Sequence, residues 1–158
     1  MKRVITGERD GKSVFAHVDE IELVSSHGLG AGLFWGADKI PFQLPIDATD
    51  GSPVDDFFPG PEGVRMSLCS FPPDGVKGAN TGEVDDFEGL MDDNGFHVTD
   101  SVDACWVIAG ELGLEIDGET VWLNPGDLVV QNGTLHAWRN RSSEPALLGC
   151  VTFGAARA

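Results

Sequence analysis

The chain has 158 residues, of which 41% are apolar, and this is enough for one domain with its own hydrophobic core. Acidic residues number 26 against 10 Lys and Arg, giving a formal net charge of −16, which disfavours phosphate backbones and anionic lipid surfaces as partners. No stretch of about 18 apolar residues and no secretory leader is visible, so we expect a cytoplasmic protein without nucleic-acid or membrane partners.

The first 94 residues predict short strands and two acidic loops. Strands over Arg3–Thr6 and Ser13–His17 flank a turn at Asp10-Gly11, and strands over Leu33–Gly36 and Val64–Phe71 follow. The acidic stretches 47–56 and 83–93 are interrupted by Pro and Gly, which predicts loops with at most one helical turn over 85–91. These loops are interpreted either as a solvated acidic face or as a rim that attracts cations.

The last third of the chain predicts a series of antiparallel strands. Asp117-Gly118 stands between two runs of alternating apolar residues, which is the strongest short-range signal for a hairpin. The six predicted strands cover 104–108, 112–116, 120–123, 127–130, 135–140 and 146–153. Short strands separated by turns, with no helix between them, are typical of an all-β barrel or sandwich.

Three cysteines, Cys69, Cys105 and Cys150, form no CxxC pair. An odd number leaves at least one thiol free unless it pairs between chains, which favours a reducing compartment. Cys105 is predicted to face inward and to act as a small apolar residue.

Two of the four histidines fall at informative places in the strand series. His97, Thr99 and Asp103 have the same parity, so in an unbroken strand their side chains share one face. His136 follows the turn at Gly133, with Trp138 on its own face. Two imidazoles and a carboxylate that converge inside a barrel would match the facial arrangement of non-haem iron sites.

These residues also carry a resemblance to a known family. His97-x-Thr99-x3-Asp103-x6-Gly110 and Gly126-x4-Gln131-x-Gly133-x2-His136-x3-Asn140 resemble the two motifs of cupins, in particular the small bacterial and fungal "cupin 2 conserved barrel" proteins. The resemblance covers residues 95–153. It implies a single-domain jelly-roll (double-stranded β-helix) barrel over 1–158, in which 1–94 supply an N-terminal β extension and flanking strands, and it implies a homodimer.

The resemblance further implies one divalent metal ion (Fe, Mn, Ni or Zn) held by His97, Asp103 and His136. The Gly28-Leu-Gly30-Ala-Gly32 stretch precedes no predicted helix and is not a phosphate-binding loop, so we expect no nucleotide cofactor. Compared with the three His and one Glu of typical metallocupins, Thr99 replaces the second His and Asp103 replaces the Glu. Three protein ligands are the number expected for a catalytic site with open positions.

The leading hypothesis is therefore a metal-dependent enzyme for a small hydrophobic or aromatic, oxygen-bearing substrate. Oxygenation, decarboxylation and isomerisation or dehydration all fit, with His136 and Asp103 as catalytic residues. The predicted substrate-binding residues are Thr99, Gln131, Trp138 and Trp106. Two alternatives stay open: a metal-free acid–base catalyst that uses His136 and Asp103, and a metal-free module that binds or senses a small ligand. Trp138 could also fill the barrel, Gln131 could be a turn residue, and Asn140 is interpreted as structural.

Overall fold

In a computed structural model, the protein is described over residues 2–20, 22–26, 29–40, 42–46, 54, 56–76, 89–116 and 118–157. Within these ranges the secondary structure is entirely β, so no helix there is long and apolar enough to cross a membrane. The eleven strands are β1 (Lys2–Arg9), β2 (Lys12–Glu20), β3 (Val24–Ser26), β4 (Leu29–Ala37), β5 (Val64–Phe71), β6 (Ser101–Ala109), β7 (Leu112–Ile116), β8 (Glu119–Leu123), β9 (Leu128–Gln131), β10 (Ala137–Arg139) and β11 (Ala146–Gly154).

The N-terminal hairpin forms a separate two-stranded sheet. β1 and β2 pair antiparallel, and the turn residues Asp10 and Gly11 both have positive φ, at 52° and 71°. Positive φ at both central residues is the hallmark of the type I′ turns that join two strands directly. The predicted hairpin is confirmed, and its strands are longer than the sequence pattern suggested.

A six-stranded antiparallel sheet has the order β3-β4-β5-β11-β6-β9. Strands from the first 94 residues form one half of this sheet, and β5 lies beside the last strand, β11. The chain therefore brings its two halves together at the β5–β11 pair, which positions residues of both halves on one inner face.

A three-stranded sheet, β10-β7-β8, faces the six-stranded sheet. Gly118, with φ +82°, makes the predicted hairpin turn between β7 and β8. The core lies between the two sheets, because its buried apolar cluster combines Leu112 and Leu123 of the smaller sheet with Val107 and Leu148 of the larger one. Six strands after residue 100 confirm the predicted all-β series.

Two expectations about local structure need comment. The strand predicted to run unbroken from His97 begins at Ser101, while Val98 and Thr99 are irregular and Asp100 lies in a bend. Residues 85–88 of the predicted helical turn and most of both acidic loops lie outside the described residues, and residues 89–91 form a turn and a bend.

Candidate active site

His97 and His136 are held side by side by the main chain. They form an isolated antiparallel bridge in which each backbone N–H donates to the other's carbonyl oxygen, at 3.0 and 3.1 Å. Directly opposed residues of an antiparallel pair point to the same face. The ring centroids are accordingly 4.3 Å apart, with an angle of 50° between the ring planes.

Each imidazole is also fixed through Nδ1. The Nδ1 atom of His97 lies 3.1 Å from the carbonyl oxygen of Gly95, and that of His136 lies 2.9 Å from the carbonyl oxygen of Thr134. A carbonyl oxygen only accepts, so each Nδ1 carries the proton and each Nε2 keeps its lone pair. Both side chains line the same cavity, where these two lone pairs are available to a ligand.

Burial keeps both imidazoles neutral. Desolvation is the largest influence on His97 and lowers its pKa, against the opposing effects of its bond to Gly95 and the charge of Asp103. Burial likewise lowers the pKa of His136 from 6.5 to about 4, and the side chain is only 3% exposed. At neutral pH the cavity therefore contains two uncharged bases.

Asp103 enters the same cavity from β6. In the sheet it lies opposite Gln131 of β9 and Thr152 of β11, so these three side chains share the inner face. Burial raises the pKa of Asp103, and hydrogen bonds from the Ser101 and Thr152 hydroxyls oppose that effect. Its Oδ1 atom is buried and has no hydrogen-bond partner.

Gln131 and Thr99 form polar parts of the cavity wall. The Oε1 atom of Gln131 accepts hydrogen bonds from the Thr134 amide (3.1 Å) and hydroxyl (2.8 Å), which fixes the orientation of the side chain. The Nε2 atom of Gln131 is consequently left buried without a partner. Thr99 is buried and accepts a hydrogen bond from the Ser101 hydroxyl at 2.8 Å. Both residues line the cavity, and their role in substrate binding stays a prediction.

The two tryptophans predicted to bind substrate differ in position: Trp138 of β10 lines the cavity, and Trp106 of β6 does not. Trp138 lines the cavity and packs against Phe71, with ring centroids 5.9 Å apart, so it serves both the core and the pocket. Trp106 lies outside the lining, because alternation along β6 turns Asp103 and Cys105 inward and Trp106 outward. On the outer face its indole covers Gly149, where an added Cβ would come within 2.5 Å of the ring.

Two neighbouring pockets, an inner and an outer chamber, share part of their lining. The inner one, of about 70 Å³, contains the two histidines, Asp103 and Gln131. The outer one, of about 280 Å³, shares His97, Trp138 and Phe71 with it and extends along Pro72, Pro73 and Val76. Phe57, Phe58, Leu29 and Met91 complete the apolar wall of the inner chamber. These residues of the first 94 were not predicted from the sequence. Ser67, Cys69 and Phe71 alternate along β5, and this pattern indicates that the three share the face of β5 that lines the cavity.

All three cysteines are free, buried and part of the inner chamber's wall. The Cys105 and Cys150 sulfur atoms are 3.1 Å apart, and the hydrogen bond between them is the largest cause that raises the pKa of the Cys150 thiol, followed by the contact with Cys69 and burial. High pKa values keep thiols protonated and poorly nucleophilic. This fits the prediction that Cys105 is a small inward-facing apolar residue.

The arrangement does not provide the predicted three metal ligands. Over the part of the chain that the structure describes, no three His, Cys, Asp or Glu side chains come together as a group that could hold a metal ion. The donors are suitable in kind, since imidazole and carboxylate both bind divalent metals. However, in this arrangement His97 and His136 are a pair of potential ligands, and no third one from Asp103 joins them among the described residues.

Comparison with known proteins identifies the region that carries this site. Residues 93–152 match the sequence model of the cupin domain family. Together with the all-strand architecture, this confirms the predicted all-β cupin fold.

Three curated fungal proteins share short, well-conserved segments with the chain. Phomopsin biosynthesis cluster proteins C′ and D of Diaporthe leptostromiformis are each 51% identical over 47 residues, which is 29% of this chain and 25% of theirs. Oryzines biosynthesis cluster protein J of Aspergillus oryzae is 50% identical over 48 residues, or 30% of this chain and 27% of that protein. The match thus spans about a quarter of the length of these relatives.

Solved structures with a similar course of the chain include a cupin 2 conserved barrel domain protein from Salinispora arenicola. It is 18% identical, with a TM-score of 0.46 over 84% of this chain and 82% of that one. The cupin 2 domain of an XRE family transcriptional regulator from Enterobacter cloacae is 24% identical, with a TM-score of 0.40 over 60% of this chain and 83% of that one.

Proposed function

We propose, from the premise that residues 93–152 are a cupin domain, that the chain is a small enzyme that moves protons on a small hydrophobic or aromatic, oxygen-bearing substrate. Isomerisation and dehydration are the reaction types that need only proton transfer. One observation carries the proposal: two neutral imidazoles with available Nε2 atoms share a buried chamber with a carboxyl group whose Oδ1 is unpartnered. The names of the fungal relatives support a role in a biosynthetic pathway.

The proposed roles follow from what each atom can donate or accept. Nε2 of His136 removes a proton from the carbon next to the substrate's carbonyl or hydroxyl group, and its low pKa keeps it deprotonated and ready. The Nε2–H of the resulting imidazolium returns the proton to the neighbouring carbon or to the departing hydroxyl oxygen, while the Asp103 carboxylate offsets the positive charge that the ring carries between the two transfers. The free N–H of Gln131 stabilises the negative charge that develops on the substrate oxygen. The apolar wall, including Phe57 and Leu148, keeps water from competing for these groups.

A metal-dependent enzyme, as predicted from the motifs, is the second candidate. One observation favours it: ligating histidines usually donate Nδ1–H to a carbonyl or carboxylate, as His97 and His136 both do. A divalent ion such as Fe, Mn, Ni or Zn would be held by these two residues, with Asp103 as the third ligand after a change of side-chain conformation. Such an ion would supply Lewis-acid chemistry or a site for O₂.

Deuterium exchange tests the proposal without knowledge of the natural substrate. The protein is incubated in D₂O and EDTA with a panel of small aryl and alkyl hydroxyketones, and deuterium incorporation at the carbon next to the carbonyl is followed by mass spectrometry. We expect catalysed exchange that falls at least about 100-fold in His136→Gln. His17→Gln, at a histidine outside the cavity lining, is the matched control and should exchange like the wild type.

The other outcomes separate the alternatives. Exchange or turnover that disappears with EDTA and returns with one equivalent of metal would support the metal-dependent enzyme instead. Binding of panel compounds without any exchange would support the binding module.

We also propose that the chain forms a homodimer through the outer face of the six-stranded sheet. Val102, Val130, Leu128 and Phe153 lie close together on that face, and Leu128 and Val130 are 78% and 67% exposed. An apolar patch of this kind marks an interaction surface in a soluble protein. Light scattering after size exclusion should give the dimer mass for the wild type and the monomer mass for Val130→Glu. Val121→Glu, at a similarly exposed site on β8, should stay dimeric.

A further inference from the structure

The inner chamber presents an unusual set of unsatisfied hydrogen-bonding atoms. Three of them accept: Nε2 of His97, Nε2 of His136 and Oδ1 of Asp103. Among the described residues that line this chamber, the buried nitrogen donor without a partner is Nε2 of Gln131. Because both Nδ1–H groups are already bonded to backbone carbonyls, neither histidine can offer a donor to the chamber without becoming charged.

The part of both chamber walls that the structure describes carries no cation that could receive an anion. Among the described lining residues of both chambers, the charged ones are Asp103 and Asp74, and there is no Lys or Arg. The nearby guanidinium groups are engaged elsewhere: Arg139 binds Glu115 and the Asn94 carbonyl, and Arg157 binds Asp100 and the Thr99 carbonyl. An anionic group in the inner chamber would therefore face the Asp103 carboxylate and two lone pairs, against which the described lining offers the uncharged Gln131 N–H and no cation.

We infer that the inner chamber recognises an uncharged head group that both donates and accepts hydrogen bonds, a hydroxyl or a primary carboxamide, and excludes carboxylates. The inference rests on the proposed function and narrows its substrate class. The O–H or N–H of the head group satisfies an imidazole nitrogen or the Asp103 oxygen, and its own oxygen accepts from Gln131. The apolar remainder of the substrate occupies the outer chamber, between Trp138 and the Pro72-Pro73 segment.

Three compounds with one skeleton test this inference: 3-phenylpropanol, 3-phenylpropanamide and 3-phenylpropanoate. Their affinities for the chelator-treated protein are measured at pH 7.5 by calorimetry or ligand-observed NMR. The alcohol and the amide should bind at least tenfold more tightly than the carboxylate. Asp103→Asn removes the negative charge and keeps the side-chain size, so the ratio of the affinities for the neutral compounds to that for the carboxylate should fall. Trp106→Phe, on the outer face, should leave this ratio unchanged.

The outcomes are distinguishable. Equal or tighter binding of 3-phenylpropanoate by the wild type overturns the head-group inference and leaves the proposed function standing, because the pocket still binds an aromatic ligand. Failure of all three compounds to bind overturns both the inference and the proposed substrate class. Stoichiometric metal in the purified protein that is lost in His97→Gln also overturns the inference, since the metal would already occupy the acceptor atoms. The comparison within the wild type stands even if a variant does not fold.

Discussion

Asn140 should be one of the most sensitive positions in the molecule, and the effect of Asn140→Ala can be worked out from its contacts. The side chain is 1% exposed. Its Nδ2 donates to the carbonyl oxygens of Phe71 (2.9 Å) and Glu144 (2.8 Å), and its Oδ1 accepts from the amide (3.0 Å) and hydroxyl (2.7 Å) of Ser142. Four hydrogen bonds at a net value of about 1 kcal/mol each give a loss of about 4 kcal/mol in the free energy of unfolding.

This loss is a large part of the 5–15 kcal/mol that typically stabilises a domain. Urea unfolding followed by tryptophan fluorescence measures it directly. Asn124→Ala, the same substitution at an exposed site, should change the free energy of unfolding by no more than about 0.5 kcal/mol. A loss below about 1 kcal/mol in Asn140→Ala would refute the view that this side chain ties the end of β5 to the segment between β10 and β11.

Three further predictions concern stability. The pKa of His136 is about 4 in the folded protein and 6.5 ordinarily, so the unfolded chain takes up the proton first as the pH falls. Between pH 6.5 and 4, urea titrations should show that the wild type loses up to about 3 kcal/mol more free energy of unfolding than His136→Gln. Equal losses in the two proteins would contradict a buried neutral imidazole. Arg65→Met should lower the free energy of unfolding by about 3 kcal/mol, since the side chain is 2% exposed and donates to the Asp56 and Ala37 carbonyls and to the Asp38 carboxylate. A loss as small as that expected for the exposed Arg141→Ala would contradict a stabilising role for these hydrogen bonds. Gly154→Ala should lower the thermal midpoint by several degrees, because its Cβ would collide with the Gly60 carbonyl oxygen. Gly60→Ala, with open space around its Cβ, should leave the midpoint unchanged.

The sequence predicted the second half of the fold well because its signals are local. Asp-Gly turns and alternating apolar residues determine a hairpin within ten or so residues, and β7 and β8 confirm the prediction to the residue at most ends. β3 was missed, since three residues carry too little periodicity. The pairing of β5 with β11 could not be predicted either, because it depends on contacts between residues far apart in the chain.

The candidate site was predictable in composition but not in geometry. Parity placed His97, Thr99 and Asp103 on one face, and all three line the cavity even though the strand is broken before Ser101. The same rule, applied to Trp106, would have turned it outward. Whether these side chains form a group of three metal ligands could not be predicted from the sequence, since it depends on how β6 packs beside the isolated bridge.

The bridge between His97 and His136 also links ligand binding to the stability of the segment between these two residues. Everything from 98 to 135, including β6 to β9, runs between the two histidines. A ligand that contacts both rings closes this segment into a loop and raises the free energy needed to open it. Occupancy of the chamber should therefore be measurable as slower proteolysis of this segment, including the β7–β8 hairpin, whose described residues take no part in the cavity lining.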